Sequence, residues 1–212
     1  MIDCEGVRDV RKVWILSLLG LMLSGCAGIP RDYSPREGDL VFQSLPQDDL
    51  VKMIEGSTHS AYSHCGIVVK DGSGWAVLEA VGPVKETGLG EWIGRGRAQA
   101  FAVYRLKAEQ AAAIAPMIAE ARKFLGRPYD IRYEMDDEKI YCSELIYKGY
   151  KAATGKPLGR VVKLREMDWK PYEATIREIE GGPPPLEREI ISPRAVSEAA
   201  EVEKVYARGY PN

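Results

Sequence analysis

Residues 140–146 read Ile-Tyr-Cys-Ser-Glu-Leu-Ile and are the most informative stretch of the chain. An extended polar segment ends here and an amphipathic helical pattern begins, so we expect the thiol of Cys142 to lie at a helix N-terminus. The partial positive charge and the unpaired N–H groups of a first helical turn favour the thiolate, which is the reactive form of cysteine. The stretch therefore makes Cys142 a candidate nucleophile.

The chain has only two histidines that could act as a base for this thiol, His59 and His64. His64 opens an apolar stretch at 64–70, which predicts a buried strand. Residues 71–74 read Asp-Gly-Ser-Gly, which is a turn signal, and a second apolar stretch follows at 75–81. The two stretches therefore predict an antiparallel hairpin with His64 at its open end.

A carboxylate lies in the second strand of this hairpin. Glu79 is flanked by apolar residues, and a carboxylate in such a strand is costly unless it has a partner. Facing residues across the turn have numbers that sum to about 145, which leaves Glu79 within reach of His64. Cys142, His64 and Glu79 therefore fit the roles of nucleophile, base and orienting group.

Each of these residues also has a structural interpretation. His64 could be an ordinary core or surface histidine, Cys142 a small buried hydrophobe, and Glu79 a solvent-facing residue on an edge strand. Cys65 and Cys142 could form a disulfide in an oxidising compartment. Because neighbouring side chains of a strand point to opposite faces, we expect Cys65 to point away from Cys142 if His64 points toward it.

The first 25 residues differ in kind from the rest of the chain. A basic stretch precedes a short apolar run, which ends in Leu-Ser-Gly-Cys at residues 23–26. About a dozen apolar residues are too few to span a bilayer core, which needs roughly 20, so the segment is typical of an export signal. Its end resembles the lipobox of bacterial lipoproteins, which implies that Cys26 is diacylated and becomes the mature N-terminus. An ordinary cleaved signal or a short membrane anchor is the alternative.

Composition predicts one globular domain behind this signal. The chain has 212 residues, of which 45% are hydrophobic, and this suits a single core. The expected organisation is a signal peptide at 1–25, a lipidated N-terminus and linker at 26–36, and one domain at 37–212. Ala27 stands where an aspartate would resemble an inner-membrane retention signal. We therefore expect the periplasmic face of the outer membrane rather than the inner membrane.

Charge and motif spacing exclude several classes of function. The formal net charge is −2, and lysine and arginine are dispersed along the chain, so we expect no nucleic-acid binding. The few cysteines and histidines form no CxxC or HExxH arrangement, so we expect no metal site. No cofactor is expected either, and the oligomeric state is left open.

Strands grouped with flanking helices, without regular alternation, predict an α+β fold with an antiparallel sheet. Besides the hairpin, we expect strands at 38–42, at 100–106 and, as the last strand before a helical tail, at 190–191. The expected helices lie at 47–55, closed by Gly56, at 141 or 142 to Gly155, and at 168–179, with a helical turn at 88–94. A further helix at 108–125 is either kinked at Pro116 or begins near it.

Five short motifs in order resemble one known family. They are Gly-Asp-Leu-Val-Phe at 38–42, Ser-His-Cys-Gly-Ile-Val at 63–68, the strand of Glu79, Leu-Gly-Arg-Pro-Tyr-Asp at 125–130, and Ile-Tyr-Cys-Ser-Glu-Leu at 140–145. Together they resemble the permuted papain-like amidases of the YiiX and YaeF type, which belong to the NlpC-related superfamily of cysteine hydrolases. The resemblance runs from about residue 36 to 195.

This resemblance implies a permuted papain-like fold, in which a small β-barrel-like antiparallel sheet packs against helices. It places the nucleophile Cys142 at the N-terminus of a packed helix, with His64 as base and Glu79 as orienting residue. The chain order His64, Glu79, Cys142 is the circularly permuted one, since the cysteine comes first in unpermuted relatives. Tyr141, just before the nucleophile, is a candidate for lining the substrate pocket, and a place in the core is the alternative.

The implied function is an envelope-anchored cysteine hydrolase that cleaves amide bonds in peptidoglycan-derived or other small peptides. The reaction would pass through a thioacyl intermediate, and the backbone N–H of Cys142 would help to hold the oxyanion. One alternative is a thioesterase or acyltransferase acting on lipids, which an apolar groove would favour. Another is a non-catalytic binding lipoprotein.

Overall fold

The fold is α+β, as the sequence predicts, and is described from a computed structural model over residues 28–72 and 74–210. The signal peptide and Cys26 lie outside the described residues. The strands are β1 (Leu40–Gln43), β2 (His64–Asp71), β3 (Gly74–Ala80), β4 (Val84–Gly88), β5 (Phe101–Leu106), β6 (Val162–Lys163), β7 (Glu189–Ile190) and β8 (Val202–Arg208). The helices are α1 (Asp49–Thr58), α2 (Leu89–Arg95), α3 (Ile114–Arg122), α4 (Cys142–Thr154), α5 (Glu173–Glu180) and α6 (Pro193–Ser197).

Six strands form one antiparallel sheet in the order β4-β3-β2-β1-β5-β8. Strands β6 and β7 pair separately. The main sheet is open in the described residues, with β4 and β8 at its edges, so the expected barrel-like closure is not seen there.

The central hairpin has the predicted register. Ile67 faces Leu78 and Asp71 faces Gly74, so facing numbers sum to 145. The ladder ends at the Ile67–Leu78 pair. Just beyond it, a Cβ atom added to Gly66 would lie 2.9 Å from the carbonyl oxygen of Leu78 and 3.3 Å from the Cβ of Glu79. Glycine therefore lets the two strands approach closely beside Glu79.

The two faces of the sheet bury different clusters. On one face, Cys65 and Ile67 of β2 belong to a large core that includes residues of α3 and α4. On the other face, Val68 of β2 packs in a smaller cluster with Trp92 of α2. The ring of His64 lies on this second side, 6.2 Å from the ring of Trp92 between centroids.

Three predicted helices have different bounds in the structure. The helix expected at 168–179 begins only at Glu173, after a 3-10 segment (Lys170–Tyr172). The helix expected at 47–55 does not close at Gly56, because α1 continues to Thr58 and ends where His59 takes a left-handed conformation with φ 49°. In the 108–125 region a 3-10 segment (Ala108–Ala113) precedes α3. Of the two alternatives for that region, the helix beginning near Pro116 is therefore the better description, because proline is tolerated in a first helical turn and disrupts a later one.

Sequence patterns missed three strands, β4 and β8 of the main sheet and the two-residue strand β6. The expected helical tail is wrong beyond the short helix α6, since the chain then enters β8, which pairs with β5 at the sheet edge. Most residues of β8 are partly or fully exposed, so the strand lacks the apolar run by which the inner strands are recognised. Among the described residues, no helix is both long and apolar enough to cross a membrane.

Candidate active site

Cys142 is the first residue of α4, and its side chain is buried, with 2% exposed. Tyr141 has an extended backbone just before it, and its N–H donates to Oε2 of Glu144 at 3.1 Å. Ser143 Oγ donates to the carbonyl oxygen of Ile191 at 2.8 Å, while the Ile191 N–H donates to the hydroxyl of Tyr141 at 3.0 Å. These bonds hold the start of the helix, and with it the sulfur, in one position.

His64 and Glu79 meet at the open end of the hairpin. Nε2 of His64 lies 2.5 Å from Oε2 of Glu79. The histidine is 2% exposed and the glutamate fully buried, so the structure does not support a solvent-facing edge position for Glu79. Since Glu79 occupies Nε2, the ring nitrogen that remains for Cys142 is Nδ1.

Two further residues bind the Glu79 carboxylate. Thr87 Oγ1 of β4 donates to Oε1 at 2.6 Å, and Nη2 of Arg95, at the end of α2, donates to Oε2. Sequence reasoning missed both. The one available signal was indirect, because a buried carboxylate requires donors without indicating where along the chain they lie.

The negative charge of Glu79 and the positive charges of His64 and Arg95 stabilise each other. Burial alone would raise the pKa of Glu79, but the hydrogen bonds and positive charges of His64 and Arg95 hold that pKa at about 2. Burial alone would lower the pKa of His64, but hydrogen bonds to Cys142 and Glu79 raise it to about 9. The site therefore favours an imidazolium beside a carboxylate at neutral pH.

The Cys142 thiol is also shifted toward its charged form. A hydrogen bond with Cys65 lowers the pKa of Cys142, burial opposes this effect, and the hydrogen bond and charge of His64 lower the pKa further, well below its usual value. Burial raises the pKa of Cys65 well above its usual value. Cys65 therefore stays a neutral thiol next to the Cys142 thiolate.

The expectation that Cys65 points away from Cys142 is wrong. Both belong to the core between the sheet and α4, and both are free thiols. Cys65 faces α4 as strand alternation requires, whereas His64 approaches Cys142 although it lies on the other face. The expectation fails because it assumed that Cys142 is reached from one face of β2 only, whereas hydrogen bonds from both His64 and Cys65 lower the pKa of Cys142.

Cys142 lines a groove with a cavity volume of about 70 Å³. The groove is lined by residues of α1 and α5, by residues 131–133, and by further residues between 164 and 193. Most of the lining side chains are apolar, among them Met53, Ile54, Leu164, Met167, Ile176 and Ile179.

Of the two places expected for Tyr141, the pocket wall and the core, the structure shows the core. Tyr141 is fully buried there, its hydroxyl is bonded to Ile191, and it is not among the residues that line the groove. The tyrosine in the groove wall is Tyr133.

Residues 34–206 match the family described as permuted papain-like amidase enzyme, YaeF/YiiX, C92 family. The chain belongs to this family. It is 35% identical over 195 residues to the uncharacterized protein YiiX of Escherichia coli strain K12, a match that covers 90% of this chain and 96% of YiiX. The crystal structure of metalloprotein YiiX from Escherichia coli O157:H7 superposes with a TM-score of 0.77 at 35% identity, covering 83% of this chain and 99% of that one. A hydrolase of the papain-like type is therefore the family assignment.

The name metalloprotein, given to that relative, raises the question of a metal in this chain. Over residues 28–72 and 74–210, no group of three or more histidine, cysteine, aspartate or glutamate side chains is placed to hold a metal ion. The described donor set thus does not fit such an ion, and the chemistry below is argued from the protein groups alone.

Proposed function

We propose that the protein is a cysteine hydrolase that cleaves amide bonds in peptidoglycan-derived or other small peptides. The observation that carries the proposal is the buried His64–Glu79 contact of 2.5 Å beside a cysteine at a helix start. Two buried charged groups in contact are costly to maintain for stability alone, which favours a functional explanation. The family assignment supports the same reaction class.

In the proposed reaction the Cys142 thiolate attacks the carbonyl carbon of the substrate. A C–S bond forms and the π electron pair of the carbonyl moves onto its oxygen, where the Cys142 N–H can donate to it. When the C–O double bond re-forms, the amine leaves with the proton of His64 Nδ1 and a thioacyl enzyme remains. His64, now neutral, removes a proton from water, which attacks the thioester and releases the acid. Glu79 keeps the imidazole oriented and stabilises it whenever it is protonated.

The lining of the groove supports a second candidate, a thioesterase or acyltransferase that acts on lipid substrates. A largely apolar groove that ends at Cys142 suits an acyl chain, because each buried CH₂ contributes about 0.8 kcal/mol. The catalytic steps would be the same, with an alcohol or thiol as the leaving group in place of an amine.

Mass spectrometry of substrate panels separates these candidates. The full-length protein, purified in detergent, is incubated with muropeptides and with acyl esters and thioesters of increasing chain length. We expect muropeptide amide cleavage that Cys142→Ala and His64→Ala abolish, while His59→Ala, the matched histidine control, retains it. Turnover of acyl substrates alone would establish the second candidate, and turnover of both panels by Cys142→Ala would contradict the cysteine mechanism.

We also propose that the protein is anchored to the envelope through lipidated Cys26. The Leu-Ser-Gly-Cys sequence at 23–26 supports this, and two acyl chains suffice for durable anchoring where one binds only marginally. Such an anchor would keep the enzyme close to cell-wall fragments and to membrane lipids.

A further inference from the structure

The loop of residues 129–140 places Tyr133 in the wall of the groove that Cys142 lines. Its two ends meet, since Tyr129 and Ile140 form an isolated bridge and the Ile140 N–H donates to the carbonyl oxygen of Pro128 at 3.0 Å. Inside the loop, the Arg132 N–H donates to Oδ1 of the buried Asp130 at 3.0 Å and shapes the first turn. The loop runs directly into α4, so its geometry is tied to that of Cys142.

Tyr133 has a strained backbone within this loop. Its φ is 59°, in the left-handed region that a bulky side chain adopts only at a cost. The conformation brings its ring against that of Tyr141, with centroids 4.9 Å apart and planes at 64°. Tyr133 and Cys142 line the same groove. Backbone strain of this kind is more frequent at functional sites than elsewhere, and in Tyr133 it accompanies a place in the groove wall.

The hydroxyl of Tyr133 has one protein neighbour, the hydroxyl of Tyr129, at 3.4 Å. Neither hydroxyl has another hydrogen-bond partner in the described part of the chain. Burial raises the pKa of both phenols, and the negative charge of Cys142 raises them further. Both therefore remain neutral donors while Cys142 is a thiolate, and a phenol that accepts from its neighbour keeps its own proton available.

We propose that Tyr133 is a catalytic residue that donates its phenolic hydrogen bond to the substrate oxyanion, with Tyr129 donating to Tyr133. This rests on the proposed cysteine hydrolase function. As the thiolate forms the C–S bond, the carbonyl electron pair becomes an oxyanion that the Cys142 N–H and the Tyr133 hydroxyl bind together. The phenol keeps its proton throughout, and its hydrogen bond is released when the C–O double bond re-forms and the leaving group departs.

The test compares two reactions of Cys142, of which only one creates an oxyanion. p-Nitrophenyl acetate acylates the thiolate through a tetrahedral oxyanion, whereas iodoacetamide alkylates it by displacement without one. Full-length wild type, Tyr133→Phe and the matched control Tyr129→Phe are treated with each reagent. p-Nitrophenol release gives the acylation rate, and peptide mapping gives the alkylation rate of Cys142.

We expect Tyr133→Phe to slow acylation by about 10²-fold, as for loss of one oxyanion donor, while alkylation stays within about twofold of wild type because the thiolate is unchanged. Tyr129→Phe should slow acylation less, since it removes only the support for Tyr133. Acylation of Tyr133→Phe at the wild-type rate, or a larger loss in Tyr129→Phe, would overturn the inference. A parallel loss of alkylation would also overturn it, by showing that Tyr133 acts on the thiolate. Failure of the wild type to acylate at Cys142 would instead reject the proposed function and this inference with it.

Discussion

Glu79 keeps a negative charge inside the protein because His64, Thr87 and Arg95 all bind its carboxylate. At the scale of single residues, this charge sets how basic His64 is. The pKa of His64 is raised to about 9 by its bonds to Cys142 and Glu79 against the opposing effect of burial. The imidazolium is thus present below pH 9 and is lost as the pH rises through that value.

Glu79→Gln removes the charge and keeps the shape. We expect the pKa of His64 to fall, so that the basic limb of the kcat/KM profile moves from near pH 9 to lower pH. The rate at neutral pH should fall less than in His64→Ala, which loses the base itself. Initial rates across the pH range measure both effects. A basic limb that stays in place, with an unchanged rate, would remove Glu79 from the proposed triad.

Arg95→Gln tests the donor that sequence reasoning missed. The Arg95 side chain is 25% exposed, and its contact with Glu79 helps to hold the glutamate pKa at about 2, below the ordinary 4.5. A depressed carboxylate pKa contributes stability that is present above pH 4.5 and is lost as the pH falls through 2. We expect Arg95→Gln to lower the free energy of unfolding by about 2 kcal/mol at pH 7, and by progressively less as the pH falls toward 2.

Urea unfolding at several pH values measures this difference. Arg177→Gln is the matched control, because Arg177 bonds to Glu173 at 2.8 Å but is 52% exposed, and exposed pairs of this kind contribute about 0.3–0.5 kcal/mol. An Arg95→Gln penalty that is as small as the control, or that does not depend on pH, would show that Arg95 does not support the Glu79 charge.

The sequence predicted the residues with a strong local signature and missed the others. Cys142 was predicted from a helix start, His64 from a strand start and Glu79 from a charge in an apolar run. Arg95 and the proposed donor Tyr133 were missed, since a basic residue ending a short helix and a tyrosine in an irregular loop look the same whether or not they serve a site. Their partners are set by packing between distant segments, which one sequence does not display.

At the scale of elements, Gly66 controls how closely β2 and β3 approach. We expect Gly66→Ala to cost about 1–3 kcal/mol of stability, because its Cβ would meet the Leu78 backbone at 2.9 Å and push the strands apart. The shift would also lengthen the contact between His64 and Glu79, so activity should fall. Gly182→Ala is the control, since a Cβ there meets nothing within 4 Å.

Thermal unfolding and p-nitrophenyl acetate turnover, measured on both variants, check this expectation. A Gly66→Ala protein as stable and as active as Gly182→Ala would show that the hairpin tolerates a wider spacing beside Glu79.

The elements that were predicted best are those whose ends are marked by turn chemistry. The Asp-Gly-Ser-Gly turn at 71–74 was enough to predict the hairpin register, and Gly155 ends α4 in a left-handed conformation. The missed strands β4 and β8 are edge strands with exposed polar residues. An edge strand shows a weak alternation of apolar and polar residues, because it has a neighbouring strand on one side only and meets solvent on the other.

At the scale of the whole molecule, the candidate site depends on segments that are far apart in the chain. α4 brings Cys142 to the sheet, the hairpin supplies His64 and Glu79, and α2 and β4 hold the carboxylate from the opposite face. Each part can be buried only when the others are in place, so site assembly and folding are the same event. Core variants are therefore expected to lose activity and stability together, whereas Tyr133→Phe should lose activity and keep stability.

The proposed membrane attachment would concern the whole chain and would involve none of these elements. If Cys26 is diacylated, mass spectrometry of the wild-type protein should find an N-terminal peptide that begins at Cys26 and carries acyl chains, and the protein should sediment with membranes. Cys26→Ser should lose metabolic palmitate labelling and the acylated peptide. Hydrolysis of p-nitrophenyl acetate in detergent should be unchanged, because the site is built from residues 64–142 and their packing partners.

Sedimentation alone does not decide whether Cys26 is lipidated, since an uncleaved apolar run could also hold the variant at a membrane. A wild-type N-terminus at another residue, or one at Cys26 without acyl chains, would contradict the lipoprotein proposal and leave the hydrolase proposal intact.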